Sequence, residues 1–288
     1  MRVLVTGGSG FLGSHVLDVL RQRDHDVVAL ARSQPAAEAV SARGATPIAG
    51  DLDEPESIDA AFTASEAEVL VNIASLGFGH GPAIVAAAEE AGIKRAVFVS
   101  TTSLFTNLNA PSKAIRIAAE EAVRSSVLDW TIIRPTMIYG TSGDRNMWRL
   151  LRLLRRTPVV PLPGADKLHQ PVHVADLAQA VVAAAERADA IGHAYDVAGP
   201  EPLTLRQLVH QAAAAVGREV RMIPVPAAPV VAALGLVERT GRRLPISAEQ
   251  VARLTEDKAF DISAAAADLG FQPRSFAEGI AQEAVMAP

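Results

Sequence analysis

The stretch VLVTGGSGFLGSHVLDVL, residues 3–20, decides the fold. Its first four residues predict a buried strand, its glycines a tight turn, and the apolar spacing after Gly10 an amphipathic helix. Glycines at such a turn let the backbone approach a pyrophosphate, and the amide groups of the following helix then point at the phosphates. The stretch therefore predicts a dinucleotide site.

The spacing of the glycines supports that site. Gly7, Gly10 and Gly13 stand three residues apart, and Gly8, Gly10 and Gly13 satisfy GxGxxG. We expect Gly7, Gly10 and Gly13 to contact the cofactor, together with Phe11 and Leu12 between them. A glycine-rich turn that binds nothing is the alternative.

The end of the second predicted strand bears on which dinucleotide binds. VVALARS places Ala31 and Arg32 where an NAD site usually carries an acidic residue for the ribose hydroxyl. A guanidinium suits a 2′-phosphate instead. The sequence therefore favours NADP(H) over NAD(H), with Arg32 as a cofactor contact; a solvated charge at a strand end is the alternative.

Strand-length apolar runs alternate with helical patterns through the first half of the chain. The runs are VLVT (3–6), VVALA (27–31), TPIAG (46–50), EVLVNIA (68–74), AVFVS (96–100) and WTIIRP (130–135). This alternation predicts an α/β fold, a Rossmann-type doubly wound parallel sheet. We assign 1–136 and 171–198 to the NAD(P)-binding domain, and 137–170 and 199–288 to a smaller, C-terminal substrate lobe.

Composition narrows the classes of function. With a net charge of −5 over 288 residues, nothing indicates nucleic-acid binding, and the absence of cysteine excludes thiolate chemistry. The chain starts with a strand rather than a signal peptide, and its longest apolar run, 223–237, is short and interrupted by prolines. We expect a cytoplasmic protein without integral membrane contact. Lipid-surface contact by 223–237 or by MWRLLRLLRR stays open.

Several motifs together carry a resemblance that extends over nearly the full length. They are TGGSGFLG, GDL (50–52), NIAS (72–75), VFVST (97–101), WTIIRPTMIYG, QPVHVADLA, YDVAGPEPLT and DLGFQP. The chain resembles the short-chain dehydrogenase/reductase superfamily in its extended and atypical branches, which include the NAD-dependent epimerase/dehydratase and complex I 39-kilodalton-subunit-like proteins. The resemblance implies that Asp51 and Leu52 lie at the adenine, Ala74 and Ser75 line the cofactor, and Pro135 lies by the nicotinamide.

The catalytic segment departs from this superfamily. Its usual chemistry needs Tyr-x-x-x-Lys, in which the lysine lowers the pKa of the phenol and holds the nicotinamide ribose. In STTSLFTNLNAPSK (100–113), Lys113 matches the lysine, but Asn109 stands four residues earlier. Neither tyrosine of the chain, Tyr139 or Tyr195, has the required spacing. The standard tyrosine mechanism is therefore absent.

Two residues are the candidates to replace the tyrosine. Thr102 best matches the hydroxyl position of the superfamily, with Ser100 and Thr101 close by; turn hydroxyls bonded to backbone are the alternative. Lys113 is expected to bind the ribose or to donate the proton itself, as in the similar isoflavone-reductase-like reductases. The alternative for Lys113 is an exposed helix residue paired with a glutamate.

Weaker candidates line the predicted cleft. His80, in a glycine-rich loop, and Tyr139 are possible substrate contacts, although a loop histidine and a packing tyrosine are equally ordinary. His169 and His173 are expected to be structural, and no metal site is predicted. The arginines of MWRLLRLLRR either recognise an anionic substrate group or form a solvated face. Those arginines are Arg149, Arg152, Arg155 and Arg156.

The leading functional hypothesis is an NAD(P)H-dependent oxidoreductase acting on a small organic substrate. A nucleotide-sugar epimerase or dehydratase is a second hypothesis, although its chemistry normally relies on the missing tyrosine. A cofactor-binding sensor or assembly protein without catalysis is the third. A homodimer built from helices such as 82–92 and 112–126 is compatible with the sequence.

Overall fold

The computed structural model describes residues 1–108, 111–144, 146–241 and 247–287. The strands are β1 (Arg2–Thr6), β2 (Asp26–Ala31), β3 (Thr46–Ala49), β4 (Val69–Asn72), β5 (Arg95–Val99), β6 (Asp129–Pro135), β7 (Ile138–Tyr139), β8 (Val159–Pro163), β9 (Leu168–His169), β10 (Val172–His173), β11 (His193–Val197), β12 (Leu203–Thr204) and β13 (Arg221–Val225). The helices are α1 (Phe11–Gln22), α2 (Gln34–Ser41), α3 (Pro55–Ser65), α4 (Gly81–Glu90), α5 (Pro111–Ser125), α6 (Met147–Arg156), α7 (Val174–Glu186), α8 (Leu205–Ala215), α9 (Ala227–Glu238), α10 (Ala248–Arg253), α11 (Ser263–Leu269) and α12 (Phe276–Met286).

The central sheet has seven parallel strands in the order β11-β6-β5-β4-β1-β2-β3. The strand order reverses between β1 and β4, and ligands of open α/β sheets bind at such a reversal, beyond the carboxyl ends of the strands. This sheet confirms the predicted doubly wound α/β fold. All six strands predicted from sequence are present, and β11 adds a seventh from the segment 171–198.

Helices cover both faces of the sheet because its strands are apolar on both sides. One buried cluster joins the sheet to α1 and α7, and a second joins it to α3, α4 and α5. Ala265, Leu269 and Phe271, from the C-terminal part of the chain, belong to the first cluster. Residues 263–271 of the predicted substrate lobe therefore pack against the sheet.

A third cluster forms the core of the remaining C-terminal elements. It joins α6, α8 and α12 and includes the buried side chains of Leu151, Leu208 and Ile280. Two small parallel pairs, β7 with β10 and β8 with β13, connect these helices to the carboxyl end of the sheet. None of the described helices is long and apolar enough to cross a membrane.

Candidate functional site

The glycine-rich turn is shaped by steric limits. Gly7 has φ +70°, and a Cβ on it would lie 2.8 Å from the backbone nitrogen of Ala74. A Cβ on Gly13 would lie 2.1 Å from the Gly7 carbonyl oxygen. Gly10 precedes α1 and makes no side-chain cap, so the first turn of α1 keeps amide groups for a ligand. The turn thus fits a pyrophosphate.

A cavity of about 930 Å³ opens beside this turn, and we call it the cradle cavity. Phe11 and Gly10 line it, whereas Leu12 is 6% exposed and packs in the first cluster. Only the backbone of Leu12 is therefore available to a cofactor. Arg43 also lines the cradle cavity and pairs with Asp18, a contact that the sequence had not indicated.

Arg32 lies at the carboxyl end of β2. Its side chain is exposed and forms no ion pair with a described residue. The next residue, Ser33, caps α2 by accepting a hydrogen bond from the Ala36 amide. An exposed guanidinium at this strand end remains available to an anionic group of a ligand.

The two segments expected at the adenine and along the cofactor are ordered by local hydrogen bonds. Asp51 accepts a bond from the Asp53 amide at 3.1 Å, and Leu52 packs against the second cluster. Ala74 donates its amide to Thr6 Oγ1 at 3.4 Å, and Ser75 caps a short 3-10 helix. These residues stand at the carboxyl ends of β3 and β4, the edge of the sheet that carries the glycine turn.

Thr102 lies where β5 and β6 end. It is 7% exposed, and its Oγ1 donates to the Pro135 carbonyl oxygen at 3.2 Å. Thr101 caps the following 3-10 helix by accepting from the Ser103 amide. The hydroxyl proton of Thr102 is therefore bonded to the backbone, as expected for a turn hydroxyl. The hydroxyl oxygen can still accept a hydrogen bond.

Lys113 is half-buried at the start of α5. Its Nζ donates to the Thr106 carbonyl oxygen at 2.6 Å. Thr106 in turn donates its hydroxyl to Glu256 at 2.5 Å, and the Asn107 amide donates to the same carboxylate at 2.7 Å. Burial raises the pKa of Glu256, but these hydrogen bonds outweigh burial and lower it. Lys113 and Glu256 therefore hold the 106–107 segment from two sides.

Asn109, the residue at the position of the missing tyrosine, lies outside the described residues. The role of the position that it occupies stays a prediction.

A larger cleft of about 1320 Å³ lies between the carboxyl end of the sheet and the C-terminal elements, and we call it the large cleft. Thr102 and Thr106 line it on the sheet side. Its other walls are mostly apolar and come from α6, β8, α8 and the segment 250–260. They include Met137, Met147, Leu150, Leu162, Leu205, Leu208 and Phe260. Thr136 and Asn146 line both this cleft and the cradle cavity, so the two cavities adjoin.

Two cationic or titratable side chains face the large cleft without having been expected there. Lys258 lines it and donates its Nζ to the Arg253 carbonyl oxygen at 2.7 Å, and burial lowers its pKa. His169 is 3% exposed, and burial lowers its pKa to about 4, which keeps the ring neutral near pH 7. The sequence held one usable signal for Lys258, since the chain has only four lysines.

The predicted substrate contacts occupy different surroundings. His80 Nε2 lies 3.5 Å from Asp53 Oδ1 at the start of α4, and His80 lines neither cavity. Tyr139 is 1% exposed and packs against the rings of His173 and Phe276 at 5.3 and 5.1 Å. The position of Tyr139 corresponds to the packing alternative, not to a cleft wall.

His173 has a structural role, as its neighbours make plain. Its Nδ1 accepts from the Ala175 amide at 3.2 Å and so caps α7, while burial lowers its pKa to about 4. In the described part of the chain, no cluster of three or more His, Asp or Glu side chains has the geometry to hold a metal ion.

The arginines of α6 divide between two surroundings. Arg155 is half-buried and donates to the Ala284 carbonyl oxygen at 2.8 Å, which ties α6 to α12. Arg149, Arg152 and Arg156 are exposed, and Arg149 lines the large cleft. Opposite them, Met147, Leu151 and Leu154 are buried in the third cluster.

A family model and curated relatives match this chain. The model of the NmrA-like family matches residues 1–271. A 4-hydroxy-2-methyl-3-oxo-4-farnesyl-3,4-dihydroquinoline-1-oxide ketoreductase of Stigmatella aurantiaca is 29% identical over 82% of this chain and 80% of its own. An NAD(P)H azoreductase of Xenophilus azovorans is 27% identical over 77% of each chain.

A solved structure with a similar fold is UDP-glucose 4-epimerase of Thermotoga maritima. It superposes with a TM-score of 0.76 at 18% identity and covers 99% of this chain and 98% of its own. These findings confirm the predicted resemblance to the short-chain dehydrogenase/reductase superfamily and the predicted oxidoreductase class. They also support a nicotinamide cofactor.

Proposed function

Since the chain belongs to the NmrA-like family, we propose that it is a reductase that uses NADPH to reduce a carbonyl group on a lipophilic small molecule. One observation carries the proposal: the cradle cavity and the large, mostly apolar cleft adjoin at Thr136 and Asn146. A cofactor gripped at the glycine turn and a substrate in the cleft would then meet at the ends of β5 and β6.

On the cofactor side, the proposal assigns one contact to each part of the dinucleotide. The α1 amide groups would bind the pyrophosphate, Asp51 would lie at the adenine, and Arg32 would pair with the 2′-phosphate. When bound, the reduced nicotinamide supplies a hydride to the carbonyl carbon, while the carbonyl oxygen takes up a proton to give an alcohol.

The protein must supply that proton. Lys113 lines neither cavity, and the Thr102 proton is bonded to the Pro135 carbonyl oxygen. Lys258 lines the cleft, and its burial favours release of a proton because a desolvated ammonium is a stronger acid. We assign proton donation to Lys258 and orientation of the 106–107 segment to Lys113.

The walls of the large cleft favour an apolar substrate over a nucleotide sugar. Leu150, Leu162 and Leu205 are among the side chains that face the cavity, and they offer no hydrogen bonds to sugar hydroxyls. The ketoreductase relative, whose named substrate carries a farnesyl group, agrees with this choice. We also propose a cytoplasmic location, a small-molecule partner and a homodimer.

The test follows NADPH absorbance with purified protein and a panel of long-chain ketones, an alkylated quinone and an azo dye. A separate assay incubates the protein with UDP-glucose and NAD+ and analyses the nucleotide sugars by chromatography. We expect oxidation of NADPH with a lipophilic ketone and no conversion of UDP-glucose. Conversion of UDP-glucose would favour the epimerase alternative. A rise in Tm with NADPH but no turnover of any compound would favour the sensor alternative and overturn the proposal.

Matched variants separate the two lysines. Lys258→Met should lower kcat by roughly a hundredfold, a typical loss of general-acid catalysis, and leave NADPH affinity unchanged. Lys167→Met is the control, because Lys167 also lines the cleft but pairs with Asp257 at its exposed side. Equal activities of the Lys258→Met variant and the unmodified protein would exclude Lys258 as the proton donor.

A further inference from the structure

Helix α9 is apolar but exposed. Its sequence AAPVVAALGLVE carries a single charge, Glu238, at its end, yet none of its residues is buried. Leu236 is 66% exposed. An apolar helix normally lies in a core, and an exposed apolar surface marks a site of interaction.

Helix α9 lies near the large cleft, because it packs against α10, whose Gln250 and Arg253 line the cleft. α9 follows β13, which pairs with β8 so that Ile223 stands beside Pro161. Val159 is 38% exposed and Ile223 42%, while the alternate residues Val160 and Leu162 point inward. Pro161 lines the cleft, so the exposed edge of this pair is also the rim of the cleft.

Helix α6 adds positive charge to the same rim. Arg149, Arg152 and Arg156 recur with helical spacing on its exposed side, and Leu153 between them is 45% exposed. None of the three arginines has a carboxylate partner among the residues described. Arg149 and Leu153 line the large cleft, which places this side of α6 at its entrance.

We propose that these elements form a docking face for the surface of a membrane that contains anionic lipids, with the cleft opening toward the lipid. The docking face consists of Arg149, Arg152, Leu153, Arg156, Val159, Pro161, Ile223 and Leu236. Apolar side chains enter the boundary between headgroups and acyl chains, while arginines contact the headgroups.

Charge favours a lipid surface over a second copy of this chain. The segments 147–163 and 218–241 contain seven arginines and two glutamates, whereas the whole chain has a net charge of −5. In a twofold dimer through this face, the arginines of the two copies would oppose one another. An anionic bilayer offers the opposite charge and receives the apolar residues at the same time.

The experiment is vesicle flotation of the full chain without substrate, so its outcome does not depend on turnover. The probes are vesicles of phosphatidylcholine mixed with phosphatidylglycerol, and vesicles of phosphatidylcholine alone. We expect the protein to float with the mixed vesicles, and binding to fall as NaCl is added, because salt screens the arginines.

Leu236→Glu should weaken binding by about tenfold or more, and Arg152→Glu by about fivefold. Val127→Glu is the matched control, since Val127 is 88% exposed but precedes β6 at the opposite, amino end of the sheet. Circular dichroism checks that each variant folds.

Two results would overturn the proposal. One is absence of flotation with the mixed vesicles, or flotation that Leu236→Glu and Val127→Glu reduce equally. The other is a dimer in sedimentation velocity that Leu236→Glu dissociates, because the face would then be an interface between proteins. Loss of reductase activity alone leaves the docking face unaffected and bears only on the proposed function.

Discussion

Helices α1 and α9 each have 12 residues and contain many apolar side chains, yet α1 is largely buried and α9 is exposed. α1 buries six residues, whereas α9 buries none. The difference begins in the sequence, because α1 carries Ser14, Asp18 and Arg21 on a polar side. α9 has no polar side, so its pattern does not specify which residues face the protein.

Each of these helices contains one glycine, and the two glycines have different steric surroundings. A Cβ on Gly13 of α1 would lie 2.1 Å from the Gly7 carbonyl oxygen. A Cβ on Gly235 of α9 would meet nothing within 4 Å. In α1 the glycine allows close approach of backbone, and in α9 it fills no steric need.

The largest expected effect tests this contrast directly. Gly13→Ala should destabilise the protein by about 3 kcal/mol, because the added methyl group forces the turn apart. Gly235→Ala should instead stabilise by up to about 1 kcal/mol, as alanine is the better helix former. Urea unfolding of both variants measures the two free energies.

NADPH binding provides a second measurement on the same pair. The thermal shift caused by NADPH should disappear in Gly13→Ala and persist in Gly235→Ala. If Gly13→Ala kept both its stability and its thermal shift, the turn would be looser than its geometry indicates, and the contrast with α9 would fail.

The features that the sequence predicted correctly share a local cause. The six strands follow from continuous apolar runs, and the glycine turn follows from sterics within a few residues. Such constraints act over a short stretch of chain and therefore leave a readable pattern. The relation to reductases followed from motifs of the same local kind.

The large cleft could not be read in the same way. Its walls come from segments as far apart as Thr102 and Phe260, and the carboxylate that holds Thr106 stands 150 residues away, at Glu256. No periodicity or motif joins these positions. Tyr139 illustrates the consequence, since an aromatic residue before a turn has the same pattern in a core as in a cleft wall.

The C-terminal lobe that carries α9 also contains closely packed parts. The buried Glu283 of α12 provides a test of that packing. Glu283 is 0% exposed, and its pKa is raised to about 8 by burial and then by the carboxylate of Asp144. The folded protein keeps this proton up to about pH 8, whereas the unfolded chain releases it near 4.5. Stability should therefore fall as the pH rises through that interval.

Glu283→Gln removes the titration while keeping the shape of the side chain. Its free energy of unfolding, relative to the unmodified protein, should rise by about 2.5 kcal/mol between pH 5 and pH 7. Glu90→Gln, at an exposed position in α4, is the matched control for the loss of one carboxylate. Parallel stability curves for both variants would mean that Glu283 is ionised in the fold.

The smallest expected effect concerns Arg32. Its side chain is exposed, as that of Leu236 is, and it has no ion-pair partner among the described residues. Arg32→Ala should leave stability unchanged but weaken NADPH binding by about tenfold, or about 1.4 kcal/mol, because the 2′-phosphate loses its cation. NADH lacks that phosphate, so its affinity should stay the same. Titrations of both cofactors by fluorescence measure the ratio of the two affinities. Arg206→Ala is the control, because Arg206 pairs with Asp166 in the C-terminal lobe.

An equal loss of affinity for NADH and NADPH would mean that Arg32 contacts a part common to both cofactors, and the preference for NADP(H) would have to be abandoned. A selective loss would show that Arg32, an exposed residue of the packed domain, binds a small ligand. The exposed residues of α9 would instead bind a membrane surface.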